Sequence, residues 1–320
     1  MKTTSGLDVR ALKIFEAVAS LGSLSKGAAL LGITQSAVSQ TITQIEAILE
    51  TPVFDRSQRP FKLTPAGIAL SRRAGQIVED MERLVVHVRD ADLASRPAIR
   101  VGMIDSFAAT AGPAIVKKVT ESASQLLLWS GLANSHATAL MKRQLDLIVT
   151  TDTLDDIDHI VRRSIFSEPF IAVIPKVREK EFKNADLTTL IERMPLIRFS
   201  ARSHFGALIE RHLRRQGFSP RPYLEIDTSD VVMAMVAADL GWTITTPICL
   251  LQGRTYSGQI TAIPLPGASL HRTIYQLSRE GEYVDMAENC FQVSRSVMEN
   301  DIFPDVRQLI PWLRSGISLS

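Results

Sequence analysis

Residues 24–43 constrain the fold more than any other part of the chain, because they have the pattern of two helices joined by a tight turn. Ser25 is a candidate cap for the first helix, and Gly32 suits the left-handed position that ends a helix. Ile33 is then expected to pack back over that end, and Thr34 to cap the second helix. The segment predicts a helix-turn-helix.

The second predicted helix has two faces of different chemistry. Apolar side chains recur at helical spacing along one face: Val38, Ile42, Ile45 and Leu49. Short polar side chains recur along the opposite face: Ser36, Ser39, Gln40 and Thr43. A helix with one buried stripe and one hydrogen-bonding face suits a DNA major groove. These residues alone leave a second interpretation open, an ordinary helical hairpin whose polar face is solvated.

The flanking sequence extends the pattern. Leu12 and Phe15 predict a first helix that ends at Gly22, and Thr64 before Pro65 is a strong helix start. In order and spacing, residues 12–67 resemble the LysR-type transcriptional regulators. The matching motifs are Leu12-x-x-Phe15, Gly22-Ser23-Leu24-Ser25, Ala28-Ala29, Leu31-Gly32-Ile33-Thr34-Gln35-Ser36-Ala37-Val38-Ser39, Ile45-Glu46, Phe54-Asp55-Arg56 and Leu63-Thr64-Pro65-Ala66-Gly67.

Two positions depart from the family pattern. Ser36 stands where proline is frequent, and Thr51 stands where glycine is usual. Serine also suits a first helical turn, and we expect both departures to be tolerated.

The resemblance implies a winged helix-turn-helix over residues 1–65 that binds double-stranded DNA. The residues of the second predicted helix that would read the DNA bases are Gln35, Ser36, Ser39, Gln40 and Thr43, and Thr34, its cap, is also counted among the DNA-binding residues. The residues it places at DNA phosphates, in the wing, are Arg56, Arg59 and Lys62. Residues 56–73 contain no acid, which suits phosphate contacts that give affinity and salt dependence. A solvated basic turn is the alternative for the wing.

Residues 65–94 predict one long helix with an apolar stripe. The stripe consists of Ile77, Met81, Leu84, Val85 and Val88. The resemblance implies that residues 66–95 are a linker helix that joins two chains, so that two recognition helices enter successive major grooves of a two-fold symmetric operator. Packing of the stripe against the chain's own downstream domain is the alternative.

Residues 94–97 predict a hinge to a second domain, in which apolar runs alternate with helical stretches. This alternation favours an α/β fold with mostly parallel sheets. The predicted strands are residues 99–104, 126–129, 145–150, 170–174, 196–199 and 242–245. The predicted helices are residues 135–143, 203–216 and 229–240. Residues 144–149 and 236–247 resemble two segments of the LysR effector domain.

The resemblance implies that residues 96–320 form a two-lobed α/β effector domain like a type 2 periplasmic binding protein. Lobe I would comprise about residues 97–170 and 269–320, and lobe II about residues 171–268, joined by two crossing strands. A small ligand would bind in the cleft, at the carboxyl ends of strands and the amino ends of helices.

Polar residues in the predicted strand-to-helix loops are the candidate effector ligands: Ser106, Ser130, Thr150, Ser200, Arg202, Thr228 and Thr246. Helix capping is the alternative for each single serine or threonine. Arg198 and Arg202 could grip a carboxylate with two hydrogen bonds each, or lie on the surface. The default effector is a small carboxylate or an amino-acid-like metabolite.

Composition excludes several classes of protein. Hydrophobic residues make up 45% of the 320 residues and charged residues 22%, as in a soluble globular protein. The chain has neither an apolar run of the roughly 18 to 20 residues that span a membrane nor a signal-peptide pattern. Two cysteines make no disulfide framework. We therefore expect a cytoplasmic protein.

Motifs for catalysis are lacking, since the chain has no glycine-rich phosphate loop and no nucleophile elbow. Four of the six histidines, His136, His159, His204 and His212, have no metal-ligand spacing and are expected to be structural or surface residues. We therefore expect no cofactor and no bound metal. A redox switch between Cys249 and Cys290 is an alternative that would need a large movement between the predicted lobes.

The sequence therefore predicts a transcriptional regulator that is controlled by an effector and is not an enzyme. Its expected partners are operator DNA, the effector and further copies of itself in a dimer of dimers, with RNA polymerase as a further candidate. A metabolite-binding protein or enzyme with an accessory helical head is the competing hypothesis. The last segment, residues 301–320, contains apolar residues such as Trp312 and is expected to fold back onto a lobe or a neighbouring subunit.

Overall fold

The computed structural model describes residues 7–55, 57, 60–89, 97–313 and 316–319, the side chains of residues 72, 76, 79, 80, 82, 83 and 85–89 excepted. The chain divides into two compact units, Met1–Ser95 and Arg96–Ser320. The predicted wing residues Arg56 and Arg59, and residues 94–96 of the predicted hinge, lie outside the described part.

The first unit consists of helices around a short antiparallel hairpin. Its elements are α1 (Val9–Leu21), α2 (Leu24–Leu31), α3 (Gln35–Leu49), β1 (Phe54–Asp55), β2 (Lys62–Leu63) and α4 (Pro65–Arg89).

Side-chain caps and left-handed residues define the helix ends of this unit. Gly32 ends α2 at φ 65°, and the Thr34 hydroxyl accepts a hydrogen bond from the backbone N–H of Ala37 at 3.2 Å, as the sequence predicts. The predicted cap of α2 is wrong by two residues. Ser23 caps the helix, whereas Ser25 lies inside it and donates a hydrogen bond to Gln35 Oε1 at 2.8 Å.

The apolar stripe of α3 forms the centre of this unit's core. Val38, Ile42 and Ile45 are buried, as predicted, and pack in one cluster with Phe15 of α1. The Phe15 ring lies 5.4 Å from the Phe54 ring, which joins the hairpin to the helices. Burying this one stripe determines which face of α3 turns outward.

Helix α4 starts at the predicted proline. The Thr64 hydroxyl accepts a hydrogen bond from the Gly67 N–H at 3.0 Å. Ile77, Met81 and Leu84 of the predicted stripe are exposed within this chain. The side chains of Val85 and Val88 are outside the described residues.

The second unit begins with a βα alternation and ends with two helices and a short strand. Its first elements are β3 (Ala98–Ile104), α5 (Asp105–Thr110), α6 (Gly112–Val119), β4 (Gln125–Gly131), α7 (Ala133–Met141), β5 (Leu147–Thr150), β6 (Ile160–Pro169) and β7 (Ile171–Pro175). They are followed by α8 (Glu179–Phe182), α9 (Leu187–Arg193), β8 (Ile197–Phe199), α10 (His204–Arg215), β9 (Leu224–Ile226) and α11 (Ser229–Ala237). The last are β10 (Thr243–Thr245), α12 (Pro247–Gln252), β11 (Ile260–Pro264), β12 (His271–Arg279), α13 (Val284–Val297), α14 (Phe303–Leu309) and β13 (Ser318–Leu319).

These strands form two main sheets. The larger has the order β13-β6-β12-β5-β3-β4, and the smaller has the order β10-β7-β11. The pair β8-β9 adjoins the smaller sheet through a parallel bridge between Leu196 and Trp242. The chain passes from the larger sheet to the smaller directly after Pro169, where β6 leads into β7, and returns between β11 and β12.

The prediction of mostly parallel sheets is wrong. Strand β3 is parallel to β4 and β5, but β12 is antiparallel to both β5 and β6, and β7 is antiparallel to both of its neighbours. The βα pattern that was used for the prediction covers only the first part of the unit. The long strands β6 and β12 contain charged residues, which obscure the alternation of apolar and polar residues that would identify them as strands.

The end of the chain folds back onto the second unit, as predicted. Strand β13 pairs with β6, and the indole N–H of Trp312 donates to the Ala262 carbonyl at 3.1 Å. Ile310, Leu313 and Ile317 are buried. The contacts with β6 and with Ala262 of β11 connect both main sheets.

Membrane-spanning helices and metal-binding clusters are both absent from the described residues. None of the helices described is both long enough and apolar enough to cross a membrane. No group of three His, Cys, Asp or Glu side chains in the same residues is arranged to hold a metal ion.

Candidate functional site

Helix α3 presents its polar face to solvent. Its hydrophobic stripe is buried, and the side chains of Gln35, Ser36, Gln40 and Thr43 on the other side are exposed. Ser39 is half-buried. The exposed groups are hydroxyls and amides, which can donate and accept hydrogen bonds at base edges.

The remaining predicted DNA residues lie at the two ends of this region. Thr34 is exposed, and its hydroxyl caps α3. Gln35 accepts the hydrogen bond from Ser25, which orients its amide at the start of α3. Lys62 is exposed on β2 of the hairpin. Arg56 and Arg59 fall outside the described residues.

The second unit contains a cleft where the first residues of several helices meet. Its lining includes Asp105 and Ser106 from α5, Ala133 from α7, His204 from α10 and Ser229 from α11. The cavity has a volume of about 60 Å³. Known small-molecule sites have volumes of roughly 300–1,000 Å³. The cleft is therefore nearly closed in this conformation.

Direct contacts hold the cleft closed. The Thr151 hydroxyl lies 3.2 Å from His204 Nδ1, and the Asn134 amide donates to the Arg202 carbonyl at 3.1 Å. His204, which is expected to be structural or on the surface, lines the cleft and takes part in the first of these contacts. His136 and His212 are buried, and the pKa of each is lowered, chiefly by burial. His159 forms an exposed pair with Glu280.

Of the predicted effector residues, Ser106 lines the cleft. The loops in which the effector residues were predicted do surround the cleft. However, the residues that line it are close in sequence to the predicted ones and are not the same: Gly131, Thr151, Ser203 and Ser229. Because successive side chains of an extended segment point to opposite sides, an error of one residue reverses the direction of a side chain.

Two of the other predicted effector residues, Thr150 and Ser200, have local partners instead. The Thr150 hydroxyl accepts from the Asp152 N–H at 3.1 Å, and Ser200 Oγ donates to Glu225 at 2.8 Å. Ser130 is exposed, and Thr228 precedes α11 without a side-chain cap bond.

The two predicted arginines are also placed away from the lining. Arg202 is 82% exposed and lies 3.6 Å from Asp227. Arg198 pairs with Glu210 at 2.8 Å and donates to the Pro220 carbonyl. Neither is among the residues that line the cleft.

A buried ion pair beneath the cleft was missed by the sequence analysis. Arg272 on β12 and Glu168 on β6 are directly opposite each other in the antiparallel ladder, and their side chains are 4% and 0% exposed. Arg272 Nε donates to Glu168 Oε1 at 2.7 Å, and its Nη2 donates to the Thr246 hydroxyl at 2.8 Å. Thr246, predicted as an effector ligand, is therefore a fully buried partner of Arg272.

Three further contacts surround this pair. The guanidinium of Arg272 lies 4.6 Å from the centre of the Phe205 ring, and Nη2 is 3.4 Å from Cys249 Sγ. Glu168 Oε2 accepts from the Ile248 N–H at the start of α12 at 3.1 Å. Burial alone lowers the pKa of Arg272, but Cys249 and Glu168 together outweigh burial and raise it. Arg272 therefore remains charged at the point where β6 and β12 meet the cleft.

The cap of α10 supports the cleft wall and gives a stability prediction. Ser203 Oγ accepts from the Gly206 N–H at 3.0 Å and donates to the Ser200 carbonyl at 2.7 Å. We expect Ser203→Ala to lower the free energy of unfolding by about 1 kcal/mol. Urea titration followed by tryptophan fluorescence measures this, because all three tryptophans lie in the second unit.

Thr228→Ala is the matched control for that substitution. Thr228 has the same place before α11, but its side chain makes no cap bond. Its replacement is therefore expected to change the free energy of unfolding by less than about 0.5 kcal/mol. Equal losses in the two variants would contradict the role given to the Ser203 hydroxyl.

Comparison with known proteins adds independent information on both units. Residues 9–68 match the bacterial regulatory helix-turn-helix protein, lysR family, and residues 94–292 match the LysR substrate binding domain. The chain is 27% identical to the HTH-type transcriptional regulator CzcR of Bacillus thuringiensis (strain Al Hakam) over 246 residues, 76% of this chain and 79% of CzcR. It is 27% identical over 294 residues to the HTH-type transcriptional regulator CbbR of Rhodospirillum rubrum, 86% of this chain and 91% of CbbR.

The same fold is found in a solved structure. Full-length CbnR, solved in complex with its target DNA, superposes with a TM-score of 0.64 at 17% identity, over 91% of this chain and 100% of CbnR. The DNA-binding match runs from α1 to the first turn of α4, and the substrate-binding match includes every cleft residue named above. The proteins of this family are regulators and not enzymes. The chain belongs to the LysR-type family of DNA-binding transcriptional regulators and carries that family's effector-binding domain.

Proposed function

We propose that this protein is a sequence-specific regulator of transcription whose activity is modulated by a small molecule bound between two lobes. The observation that carries the proposal is the exposed polar face of α3, which leaves Gln40 and Thr43 free to meet base edges. CbnR, whose structure has the same fold, was solved in complex with its target DNA, which supports DNA as the partner. DNA as the target also agrees with a cytoplasmic protein.

Within that role, we assign the base contacts to α3 and its cap. The residues assigned are Thr34, Gln35, Ser36, Ser39, Gln40 and Thr43. We assign phosphate contacts to Lys62 and, as sequence-based candidates, to Arg56 and Arg59. Phosphate contacts supply affinity that falls with salt, whereas base contacts supply sequence discrimination.

Self-association is the second part of the proposal. The exposed apolar stripe of α4, with Ile77, Met81 and Leu84, needs a partner surface and supports a dimer through this helix. Strand β4 is a sheet edge with exposed Leu127 and Trp129, which supports a second contact between chains. Two contacts of different kinds suit a dimer of dimers, with RNA polymerase as a further partner.

Ligand control is the third part. We propose a DNA-binding domain at residues 1–65, a linker helix at 66–95 and an effector domain at 96–320, with lobe I at 97–170 and 269–320 and lobe II at 171–268. A cavity of about 60 Å³ is too small for a metabolite, so the contacts Thr151–His204 and Asn134–Arg202 must open for entry. A carboxylate or amino-acid-like effector would then shift the population between open and closed lobes.

Selection of duplexes from a random library by the full chain tests the proposal. We expect an enriched sequence with two half-sites related by two-fold symmetry, about 10 base pairs apart or a multiple of that spacing. Affinity for it should fall steeply as salt rises, and random DNA of equal length is the control. Recovery of no common sequence, or equal affinity for random DNA, would contradict the proposed regulator.

A further inference from the structure

Helix α10 has a buried apolar side and an exposed basic side. Ile209 and Leu213 are buried in the core of the second unit. Three exposed arginines lie at the spacing of one helix face, Arg211, Arg214 and Arg215. Their side chains form neither an ion pair nor a hydrogen bond within the described residues. Three positive charges therefore lie side by side on α10, and none of them is paired with an acid.

A groove runs along this basic side. This groove, called the α10 groove below, is lined by the four arginines Arg198, Arg211, Arg214 and Arg215, together with Glu210 and two alanines. Its volume is about 600 Å³, which is within the roughly 300–1,000 Å³ of known small-molecule sites. The cleft, at about 60 Å³, is much smaller in this conformation, and the two linings share none of the described residues. The size of the α10 groove makes it a candidate ligand site separate from the cleft.

One of the four arginines is already neutralised. Arg198 Nη1 lies 2.8 Å from Glu210 Oε1, and both side chains are 16% exposed. Arg198 Nη2 donates to the Pro220 carbonyl. Its third donor, Nε, is buried and has no hydrogen-bond partner in the described part of the chain. Four arginines and one glutamate give the lining of the α10 groove a net charge of +3.

The positive charge of this face also affects a neighbouring histidine. His212 is on the buried side of α10, and its pKa is lowered, first by burial and then by the positive charge of Arg215. Like charges three and four residues apart on a helix also repel each other, as Arg211, Arg214 and Arg215 do here. An anion in the groove would relieve this repulsion.

We propose that the α10 groove binds a small polyanion that carries two or more phosphate groups. A guanidinium presents paired N–H donors that match two phosphate oxygens, so arginine suits phosphate better than lysine does. Three unpaired guanidiniums match several phosphate groups better than they match a single carboxylate. A concave groove of this volume can enclose a small molecule, whereas the backbone of a DNA duplex needs an extended row of cations.

Stabilisation of the helix end is the competing explanation. Arg214 and Arg215 lie in the last turn of α10, where a positive charge interacts favourably with the helix dipole. That role predicts a loss of stability when the charges are removed and no preference among anions. It does not account for Arg211, which precedes the last turn, or for the groove itself. Preference among anions is therefore the measurement that separates the two explanations.

Isothermal titration calorimetry of the full chain tests the proposal, with tripolyphosphate, pyrophosphate and inorganic phosphate as probes. Ionic strength is kept constant with sodium chloride, because salt screens exposed charges. We expect pyrophosphate and tripolyphosphate to saturate at about one ion per chain and to bind at least about tenfold more tightly than phosphate. If pyrophosphate and tripolyphosphate bind no more tightly than phosphate, or if no probe saturates, the ions only screen the surface and the proposal is overturned.

The double variant Arg211→Gln with Arg214→Gln locates the site. Both side chains are exposed, so the fold should be retained, and circular dichroism checks this. Pyrophosphate binding should weaken at least about tenfold. Arg254→Gln is the matched control, since Arg254 is another exposed arginine of the second unit without an ion pair among the described residues. Equal losses in Arg254→Gln and the double variant, or an unchanged affinity in the double variant, would refute this location.

Duplex DNA is a second source of phosphate, and fluorescence anisotropy with random duplexes distinguishes it. If the groove holds a small polyanion, the double variant should bind random DNA with unchanged affinity and unchanged salt dependence. A slope of log affinity against log salt that falls by about 2 would assign both arginines to DNA phosphates and overturn the proposal. The duplex selection contains no polyphosphate, so the proposed regulator is judged separately.

Discussion

Replacing Arg272 by methionine is expected to lower the free energy of unfolding of the second unit by about 3–5 kcal/mol. The substitution leaves the Glu168 carboxylate uncompensated in a site where its side chain is 0% exposed. It also removes the hydrogen bond to Thr246 and the contact with the Phe205 ring. Glu168 would retain one hydrogen bond, from the Ile248 N–H, which cannot replace the lost charge.

Urea unfolding followed by tryptophan fluorescence measures this loss. The double variant Arg272→Met with Glu168→Leu should recover most of it, because a buried ion pair and apolar residues of similar volume have similar stabilities. Arg178→Met is the matched control, since Arg178 forms an ion pair with Asp239 at 2.5 Å on the surface. Arg178→Met should lower the free energy of unfolding by at most about 1 kcal/mol. Two results would contradict the energetic role of the buried pair. One is a loss of stability in Arg178→Met as large as that in Arg272→Met, and the other is a double variant no more stable than Arg272→Met.

Replacing Gln40 by alanine is expected to weaken binding to the selected operator by about 1–3 kcal/mol and to leave binding to random DNA nearly unchanged. Gln40 is exposed on α3, on the face opposite Val38 and Ile42, and its amide can both donate and accept at a base edge. Truncation therefore removes base contacts without disturbing the core. Fluorescence anisotropy with operator and random duplexes at one fixed salt concentration measures both affinities.

Lys62→Ala is the comparison variant, because Lys62 is exposed on the hairpin and is assigned to phosphate. It should weaken operator and random DNA by similar factors and reduce the slope of log affinity against log salt by about 1. Gln40→Ala should leave that slope unchanged. If the two variants behave alike, α3 and the hairpin do not divide base and phosphate contacts as proposed.

The sequence was sufficient to predict the helix-turn-helix because its signals are local. A cap, a left-handed glycine and an apolar stripe all act within a few residues, and Thr34, Gly32 and Val38 have the structures that they predict. The one error in this region, Ser25 in place of Ser23, arose because both serines precede the same apolar run. Either hydroxyl could cap a helix there, and tertiary contacts decide between them.

The cleft could be predicted only to the level of its loops. Strand ends were located to within one or two residues, but the direction of a side chain reverses with each residue. Thr151 and Ser229 therefore line the cleft where Thr150 and Thr228 were predicted. Asp105 could have been found from the sequence, because it is the first residue after β3 and adjoins the predicted Ser106.

The buried pair of Arg272 and Glu168 could not be predicted. The two residues are 104 positions apart, and only the antiparallel pairing of β6 with β12 brings them together. Single charged residues within a strand ordinarily indicate a solvated face. Here they indicate a buried position, because each side chain neutralises the other.

The most direct test of the central claim, that the exposed face of α3 contacts bases, is a double-mutant cycle between Gln40 and individual operator base pairs. The wild-type protein and Gln40→Ala are each titrated against operators with one base pair replaced in turn. We predict a coupling energy of about 1–3 kcal/mol at one or two adjacent positions in each half-site, and none elsewhere. Coupling of zero at every position of the operator would contradict the claim.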